Sequence, residues 1–533
     1  MKTKKIIFAC LLGIGLLGTA CTNFDSINEN PNDATENMYD FDKGNLGKAL
    51  RNGGVFYDAD VQQRIKALGM DVFAQYVGGN STARVWTPND GWLSLYWNNY
   101  YTDWFASLNI VIANAQKYEG RQNSLALGRI WRVYMQSQFT DFYGPAPFPK
   151  SPEDTNPDYE SLDKQYEFFF KELDESVKLF DSSKDFLTVE DQIYYGNIAK
   201  WKRFANTLRL RLAIKMSEIN PELCKTQAQA AYNADGGIMI SGDDAALPGV
   251  SGVWGQQYVY YMYQVGWSDR QVMMKTMEKI LTGIGGMAYA GTAAIHPEKV
   301  DPRGERYFDP SPETNTWAGL KAGIQTEPAG ERNRVSAMSR TWIIPNDNRK
   351  TDLFLYSEAC FLMAEAVERG FVTGAGSAKD WYEKGVKASF AKWSLSDSQA
   401  VDYLASNDQN LFGTSANYDD ASGNGNTKLE KIITQKYISH YIDLSRESWN
   451  DKRRLNLPAM DIPEYRDPGA GTYPNDGNIK NPSNFISRMV YPQSEALNNK
   501  SKYEAGVAQL TGGDKTSSPI WWATKKSNYC TSN

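Results

Sequence analysis

Apolar residues recur through this chain in separated blocks at a spacing near 3.6, which commits most of it to amphipathic helices. Leu162, Tyr166, Phe169, Leu173, Val177 and Phe180 fall on one helical face. Trp201, Ala205, Leu208, Leu212 and Met216 fall on a second. Leu353, Tyr356, Cys360, Met363 and Val367 define a third, with Thr351 or Asp352 placed to cap its start and Gly370 to stop it. A fourth helix over 378–393 turns 352–393 into an αα-hairpin, and Leu429, Ile433, Tyr437, His440 and Leu444 give a fifth. Two further helices are predicted over 98–118 and 124–140.

Paired helices of this kind suggest tetratricopeptide-like packing, but there is no clean 34-residue repeat, so only degenerate pairs fit. Long stretches without period lie between them: 235–267, 283–351, 410–428 and 456–485, rich in Gly with Pro, Tyr or Asn. Irregular loops longer than about 12–15 residues are uncommon in compact domains and tend to be functional. The expected fold is mainly α, with degenerate tetratricopeptide-like helix pairs and a large irregular loop-rich region, chiefly 235–351 and 410–428. At 533 residues, 41% hydrophobic and 23% charged, the chain is neither a disordered tail nor a disulfide-stapled module. A net charge of −6 argues against a nucleic-acid surface. The two histidines, His296 and His440, leave little for zinc or a His-based triad, and no cofactor or metal is expected.

Residues 1–20 stand apart from the fold. Lys2, Lys4 and Lys5 precede the apolar run Ile6 to Leu17, which is too short to span a bilayer comfortably and is followed by small residues, as in a secretory signal. Leu17-Gly18-Thr19-Ala20-Cys21 resembles the lipobox of bacterial lipoproteins, in which the cysteine is acylated, although Leu17 lies one place further from Cys21 than usual. The alternative is a plain secretory signal with an incidental cysteine. Residues 21–44 then read as a polar tether and 45–533 as the ligand-binding domain. Gly13-Ile14-Gly15-Leu16-Leu17-Gly18 matches a dinucleotide-binding pattern but lies inside the signal, without the strand and helix that chemistry needs. Cys224, Cys360 and Cys530 are odd in number and widely spaced, so no disulfide framework is expected.

Seven short motifs then occur in a telling order. They are Asn28-Glu29-Asn30-Pro31-Asn32, Thr140-Asp141-Phe142-Tyr143-Gly144, and Tyr195-Gly196-Asn197 running into Lys200-Trp201 to Arg211. Next come Tyr356-Ser357-Glu358-Ala359 with Leu362-Met363-Ala364-Glu365-Ala366, and Trp449-Asn450-Asp451-Lys452-Arg453-Arg454. Last are Arg488-Met489-Val490-Tyr491-Pro492 and the closing Trp521-Trp522. In this order the chain resembles the SusD/RagB-like family of outer-membrane nutrient-binding lipoproteins. The resemblance implies an acylated protein on the outside of the outer membrane. Such a protein captures oligosaccharide and delivers it, as a hinged lid, to a SusC-like TonB-dependent transporter. It implies no catalysis. Some branches of the family take peptides, which is one alternative; a secreted helical-toroid glycoside hydrolase is another.

Sugar rings offer apolar C–H faces to indole and phenol rings and hydroxyls to Arg, Asn and Asp. The densest aromatic cluster spans 84–104, and Arg84, Trp86, Asn89 and Trp92 are expected on a loop ahead of the 98–118 helix, open to ligand. Tyr96, Trp97, Tyr100 and Trp104 are expected in the core. In starch-binding relatives aromatics from separate loops form one arc, and Trp254, Tyr261 and Trp317 are the nearest candidates for such an arc here. Asp301, Arg303 and Asp309 lack calcium-loop spacing and read as solvated loop charges. Lys452-Arg453-Arg454 reads as a helix end, and His440 as a core histidine. Glu365 and Glu368 share one helix but show no cleft in which a glycosidase pair could flank a substrate.

Overall fold

Helical periodicity carries through into the computed structural model, which describes residues 44–55, 59–79, 90–151, 154, 156–248, 256–262, 271–291, 297–322, 333–343, 350–463, 485–525 and 527–532. The principal helices are α1 (Asn45–Val55), α2 (Asp90–Asn99), α3 (Phe105–Lys117), α4 (Gln122–Tyr143), α5 (Leu162–Leu179), α6 (Ile198–Lys215) and α7 (Pro221–Asn233). After the long excursion come α8 (Tyr356–Glu368), α9 (Ala378–Lys392), α10 (Lys428–Ser439) and α11 (Ser445–Leu455). Sequence neighbours pack as pairs: α3 on α4, α4 on α5, α5 on α6, α6 on α7 and α8 on α9, while α10 lies against α8. The fold is thus mainly α. Among the described residues the strands are short and antiparallel, the largest sheet joining Val77–Gly78, Val272–Met273, Ala337–Met338 and Phe308–Asp309 in that order.

The predicted faces are largely the buried ones, with Tyr356, Val367 and Leu429 half-buried. Along α5, Leu162, Tyr166, Phe169, Leu173 and Val177 are all buried, three or four residues apart. Ser377 with Asp380 and Thr427 with Glu430 form capping boxes at the starts of α9 and α10. Tyr96, Trp97, Tyr100 and Trp104 are buried as expected.

Three boundaries differ from the sequence reading. The helix predicted from residue 98 starts at Asp90 and runs through a π-helical turn, Tyr100–Trp104, into α3. Leu353 is not helical: Lys350–Phe354 is a strand paired with Ala245–Pro248, and α8 starts only after it. The first N–H of α8, on Tyr356, therefore donates to Asp244 Oδ1 (2.7 Å) rather than to a local cap. The fifth predicted helix, α10, ends at Ser439, so His440 and Leu444 fall in the turn before α11. Between them Lys66 Nζ donates to the Ile442 carbonyl (2.9 Å), and Asp443 Oδ2 accepts the Asp352 N–H (2.9 Å). Lys452, Arg453 and Arg454 do form a helix end, the last turn of α11.

Six of the seven motifs meet in the core; Asn28 to Asn32 lie outside the described residues. Gly144 ends α4 at φ 88° and gives its N–H to Thr140 O (2.8 Å). Gly196, at φ 79°, turns the chain into α6, and a Cβ there would sit 2.5 Å from Thr188 Cγ2. That turn wraps Asp191, whose carboxylate accepts the N–H groups of Ile193, Tyr194 and Gly196 and the indole N–H of Trp201. Asp141 pairs with Lys215 and accepts from Asn450 (2.8 Å), while Arg453 donates to the Asp141 carbonyl (2.7 Å). Arg211 grips Glu358 through two bonds (2.8 and 2.7 Å), and Arg454 grips Glu365 through two more (2.6 Å each). Arg488 reaches Tyr143 O (2.8 Å) and Asp514 (2.6 Å), and Arg453 lies over the Trp522 ring at 4.8 Å.

Candidate ligand-binding site

The site is built on the excursion between α7 and α8. Short helix Gln256–Tyr261 is anchored by Tyr260, which is buried. Its hydroxyl donates to Asp71 and accepts from Lys66 Nζ (3.0 Å), while Lys66 also holds Asp71 (2.9 Å). Burial pushes the Asp71 carboxyl up, and Lys66 opposes that shift. With Tyr260 fixed inward, Tyr261 is left half-buried at the end of the helix.

From Tyr260 an aromatic seam runs across the excursion. The Tyr260 ring lies 6.0 Å from Trp342, Trp342 lies 6.0 Å from Tyr441, and Tyr441 lies 5.2 Å from Phe308. Phe308 lies 6.3 Å from Trp317, which lies 6.0 Å from Tyr289. Tyr307 stacks on Tyr441 (4.2 Å, 12°), and Trp393 joins from the end of α9, packing 4.7 Å from Tyr307 and stacking on Trp342 at 6.5 Å. Aromatic pairs at such spacings hold one another in place. Tyr289, Trp342 and Trp393 are half-buried, so the inner rings support outer ones that solvent can reach. Polar groups flank the seam. Asp309 Oδ2 accepts the Arg340 N–H (2.9 Å), and Glu305 accepts the Ala290 N–H (2.9 Å). Burial, with Glu305 and Asp309 nearby, pushes the Tyr289 phenol up, keeping it a neutral donor.

The sequence candidates fall unevenly on this geometry. Trp317 belongs to the seam but is only 4% exposed, because the Gly304 backbone and the Phe308 ring close over it. It is therefore a supporting ring, not an open stacking face. Tyr261 stays accessible beside the Tyr260 end. Trp92 is not on a loop: it sits half-buried in the first turn of α2. Both α2 and Gln256–Tyr261 rest against the π-helical segment Gln62–Met70, so Trp92 and Tyr261 share a support. Arg84, Trp86, Asn89 and Trp254 lie outside the described residues, as does Cys21 with the signal and all of the tether but Gly44. Trp342, Trp393 and Tyr289 were missed. Trp342 and Tyr289 sit singly in aperiodic stretches, and Trp393 was absorbed into a helical period.

The carboxylates considered for chemistry are committed elsewhere. Asp301 is fully buried and bonded to Arg303 (2.7 Å) and Tyr403 (2.7 Å), so it is a core ion pair and not a solvated loop charge. Glu365 is buried too; burial alone would raise it, yet Arg454 and Arg369 hold it down at about 2. Glu368 accepts the Tyr418 hydroxyl (2.7 Å). His440 is buried, with Nδ1 3.1 Å from Ser448 Oγ. Among the described residues no group of three or more His, Cys, Asp or Glu is placed to hold a metal, and no helix is long and apolar enough to cross a membrane.

The chain is thus a helical scaffold carrying an aromatic seam, with its internal carboxylates Asp301 and Glu365 committed to arginines. The family described as "Susd and RagB outer membrane lipoprotein" matches residues 26–523, and the chain belongs to this SusD-like family. Among solved structures, a SusD homolog from Parabacteroides distasonis is 41% identical over 92% of this chain and 99% of its own, with a TM-score of 0.84. A chitin-binding SusD homolog from Flavobacterium johnsoniae is 26% identical over 91% and 99%, with a TM-score of 0.74. A SusD homolog from Bacteroides vulgatus is 24% identical over 91% and 98%, with a TM-score of 0.77. No curated protein matches the chain.

Proposed function

We propose that the chain is a lipid-anchored protein of the outer membrane, facing outward. It captures an oligosaccharide nutrient along the aromatic seam and delivers it, as a lid, to a partner SusC-like TonB-dependent transporter. The observation that carries the reading is the seam itself: Tyr289, Trp342 and Trp393 present half-buried rings on a rigid aromatic backing, with Glu305, Asp309 and Arg340 alongside for hydroxyls. Tyr261 and Trp92 extend it, and Arg84, Trp86, Asn89, Trp254 and buried Trp317 complete the proposed set. The chitin-binding relative supports a saccharide over a peptide. The commitment of Glu365, Glu368 and Asp301 to partners in the scaffold supports binding without turnover.

A glycan array run beside a peptide library tests the ligand class: saturable glycan binding without released product is expected, and selective peptide binding or glycan cleavage would overturn the reading. Anchoring has its own test. Residues 1–20 are the proposed signal, 21–44 the tether and Cys21 the acylated residue. Stable attachment takes more than one weak lipid signal, and the several chains of a bacterial lipoprotein supply it. Cys21→Ala should release the protein into the soluble fraction and abolish labelling by a fatty-acid analogue; retention in membranes would refute the anchor. Co-purification with a TonB-dependent transporter from native membranes tests the partner.

A further inference from the structure

A cavity of about 750 Å³ opens where the end of α11, the 456–463 segment and Phe485 meet the 279 and 321 regions. Among the described residues its wall holds the ammonium groups of Lys279, Lys321 and Lys452 and the carboxylate of Asp461. Asp461 is taken by Lys279. Lys321 is exposed at the rim. Lys452 is the unusual member: it is 6% exposed, yet its hydrogen-bond partners are two carbonyls, Pro458 O at 3.2 Å and Asn456 O at 3.4 Å. Its ammonium lies 4.6 Å from the centre of the Phe485 ring, and among the described residues no carboxylate pairs with it.

Every other deeply buried lysine in the scaffold has a counter-charge or a set of short polar bonds. Lys66 has Asp71, Lys215 has Asp141 and Glu447, Lys436 has Asp451, and Lys431 sits against Ser415 and Asn426 at 2.5 Å. A buried cation held only by weak acceptors is costly, and an anion entering the cavity would offset that cost. Burial pushes Lys452 down to about 8, which leaves it charged at neutral pH.

The size of the cavity narrows the choice of anion. About 750 Å³ is in the range of organic-ligand clefts, and a lone inorganic anion would leave most of it unfilled. Phe412 and Phe485 line it, each with a lysine ammonium beside its ring, so apolar and cationic surface alternate. We propose that this cavity is a second binding site, separate from the aromatic seam, that takes the carboxylate of an acidic saccharide of the uronate type, with Lys452 as the inner contact and Lys321 as the outer one.

The test is calorimetric titration of the purified protein with trigalacturonate, galactotriose and a tripeptide with a free C-terminal carboxylate. Trigalacturonate should bind saturably, more weakly as salt rises, and galactotriose should not bind in this cavity. Lys452→Met should weaken trigalacturonate at least tenfold. Lys321→Gln, at an exposed position that does not threaten folding, should weaken it several-fold and decides the matter should Lys452→Met not fold. Absence of saturable trigalacturonate binding, an affinity unchanged in Lys321→Gln, or preferential Lys321-dependent binding of the tripeptide would overturn the proposal. Binding of neutral glycans at the seam should be the same in both variants. Loss of that binding in the wild-type protein would count against the seam, not against this cavity.

Discussion

The core around Asp141 and the seam around Tyr441 are made of similar residue types put to opposite uses. In the core, carboxylates and cations are buried in pairs, and the tryptophans Trp131, Trp201, Trp449 and Trp522 are closed off from solvent. In the seam, rings stack on rings until the last ones, Trp342, Trp393 and Tyr289, reach the surface, and the charged groups stand beside them. Counting acids or aromatics therefore says nothing about chemistry until each side chain's partner is known. An acid held by arginine is structural, and a half-buried ring backed by buried ones is a surface prepared for contact.

The contrast is most exposed to refutation at Glu365. Glu365→Ala leaves Arg454 buried without its main counter-ion and should cost about 3–5 kcal/mol of stability in chemical denaturation, whereas Glu365→Leu combined with Arg454→Met should recover much of the loss. Glycan affinity per folded molecule should not change in either. A comparable affinity loss would mean that core and seam are not separable.

Acid should find the core before the seam. Glu358 and Glu365 are pulled down to about 2 from an ordinary 4.5 by Arg211 and Arg454, against the upward push of burial. A depressed carboxylate stabilises fully above its unfolded value, and that stability is lost as pH falls from about 4.5 towards 2. Asp352, raised by burial to about 6, acts in the opposite sense and costs stability as pH rises from about 4 to 6. A urea midpoint followed from pH 7 to pH 2 should therefore fall steeply only below about 4.5. A flat profile there would deny the buried pairs their role.

Smaller effects sharpen the seam. Trp342→Ala should cost about 2 kcal/mol of glycan binding, the scale of an aromatic hot spot, and only about 1 kcal/mol of stability. Trp201→Ala, the core counterpart, should cost about 3–5 kcal/mol of stability and nothing in affinity per folded molecule. Melting curves and calorimetry on the two variants read the contrast directly. Trp92→Ala should show the least: among the described residues no ring contact ties it to the seam, so a binding loss below that of Trp342→Ala is expected. A larger loss would move the centre of the site to the start of α2.

What could be read from the sequence follows from the same division. Helices were legible because a buried stripe leaves a period, and the motifs were legible because they resemble the family's in order, with Gly144 and Gly196 acting through local turns and Glu358 and Glu365 through distant arginines. The strand at Lys350–Phe354 was not, because its partner Ala245–Pro248 lies a hundred residues away and no local pattern announces the pairing. The candidate site was legible only in part. Tyr261 and Trp317 were candidates by the family resemblance, but whether a ring faces solvent or supports another depends on tertiary contacts, which placed Trp317 inside and brought Trp342 and Trp393 out. Lys452 looked like an ordinary helix-end cation. Nothing in its neighbours along the chain signals that its counter-charge is missing.

The pairing of Ala245–Pro248 with Lys350–Phe354, locked by Asp244 on the first N–H of α8, has a consequence for inheritance. The chain leaves the helical stack and returns to it through one doorway. The entropy of closing such a loop grows only with the logarithm of its length, roughly 0.6 kcal/mol for each doubling. Loop segments between the two strands that carry none of the buried anchors Tyr260, Asp301, Arg303 or Tyr307 can be lengthened or shortened at little entropic cost to the frame that holds the door. A lineage confronted with a new polymer could thus replace the reading surface as a cassette and keep the frame it already had.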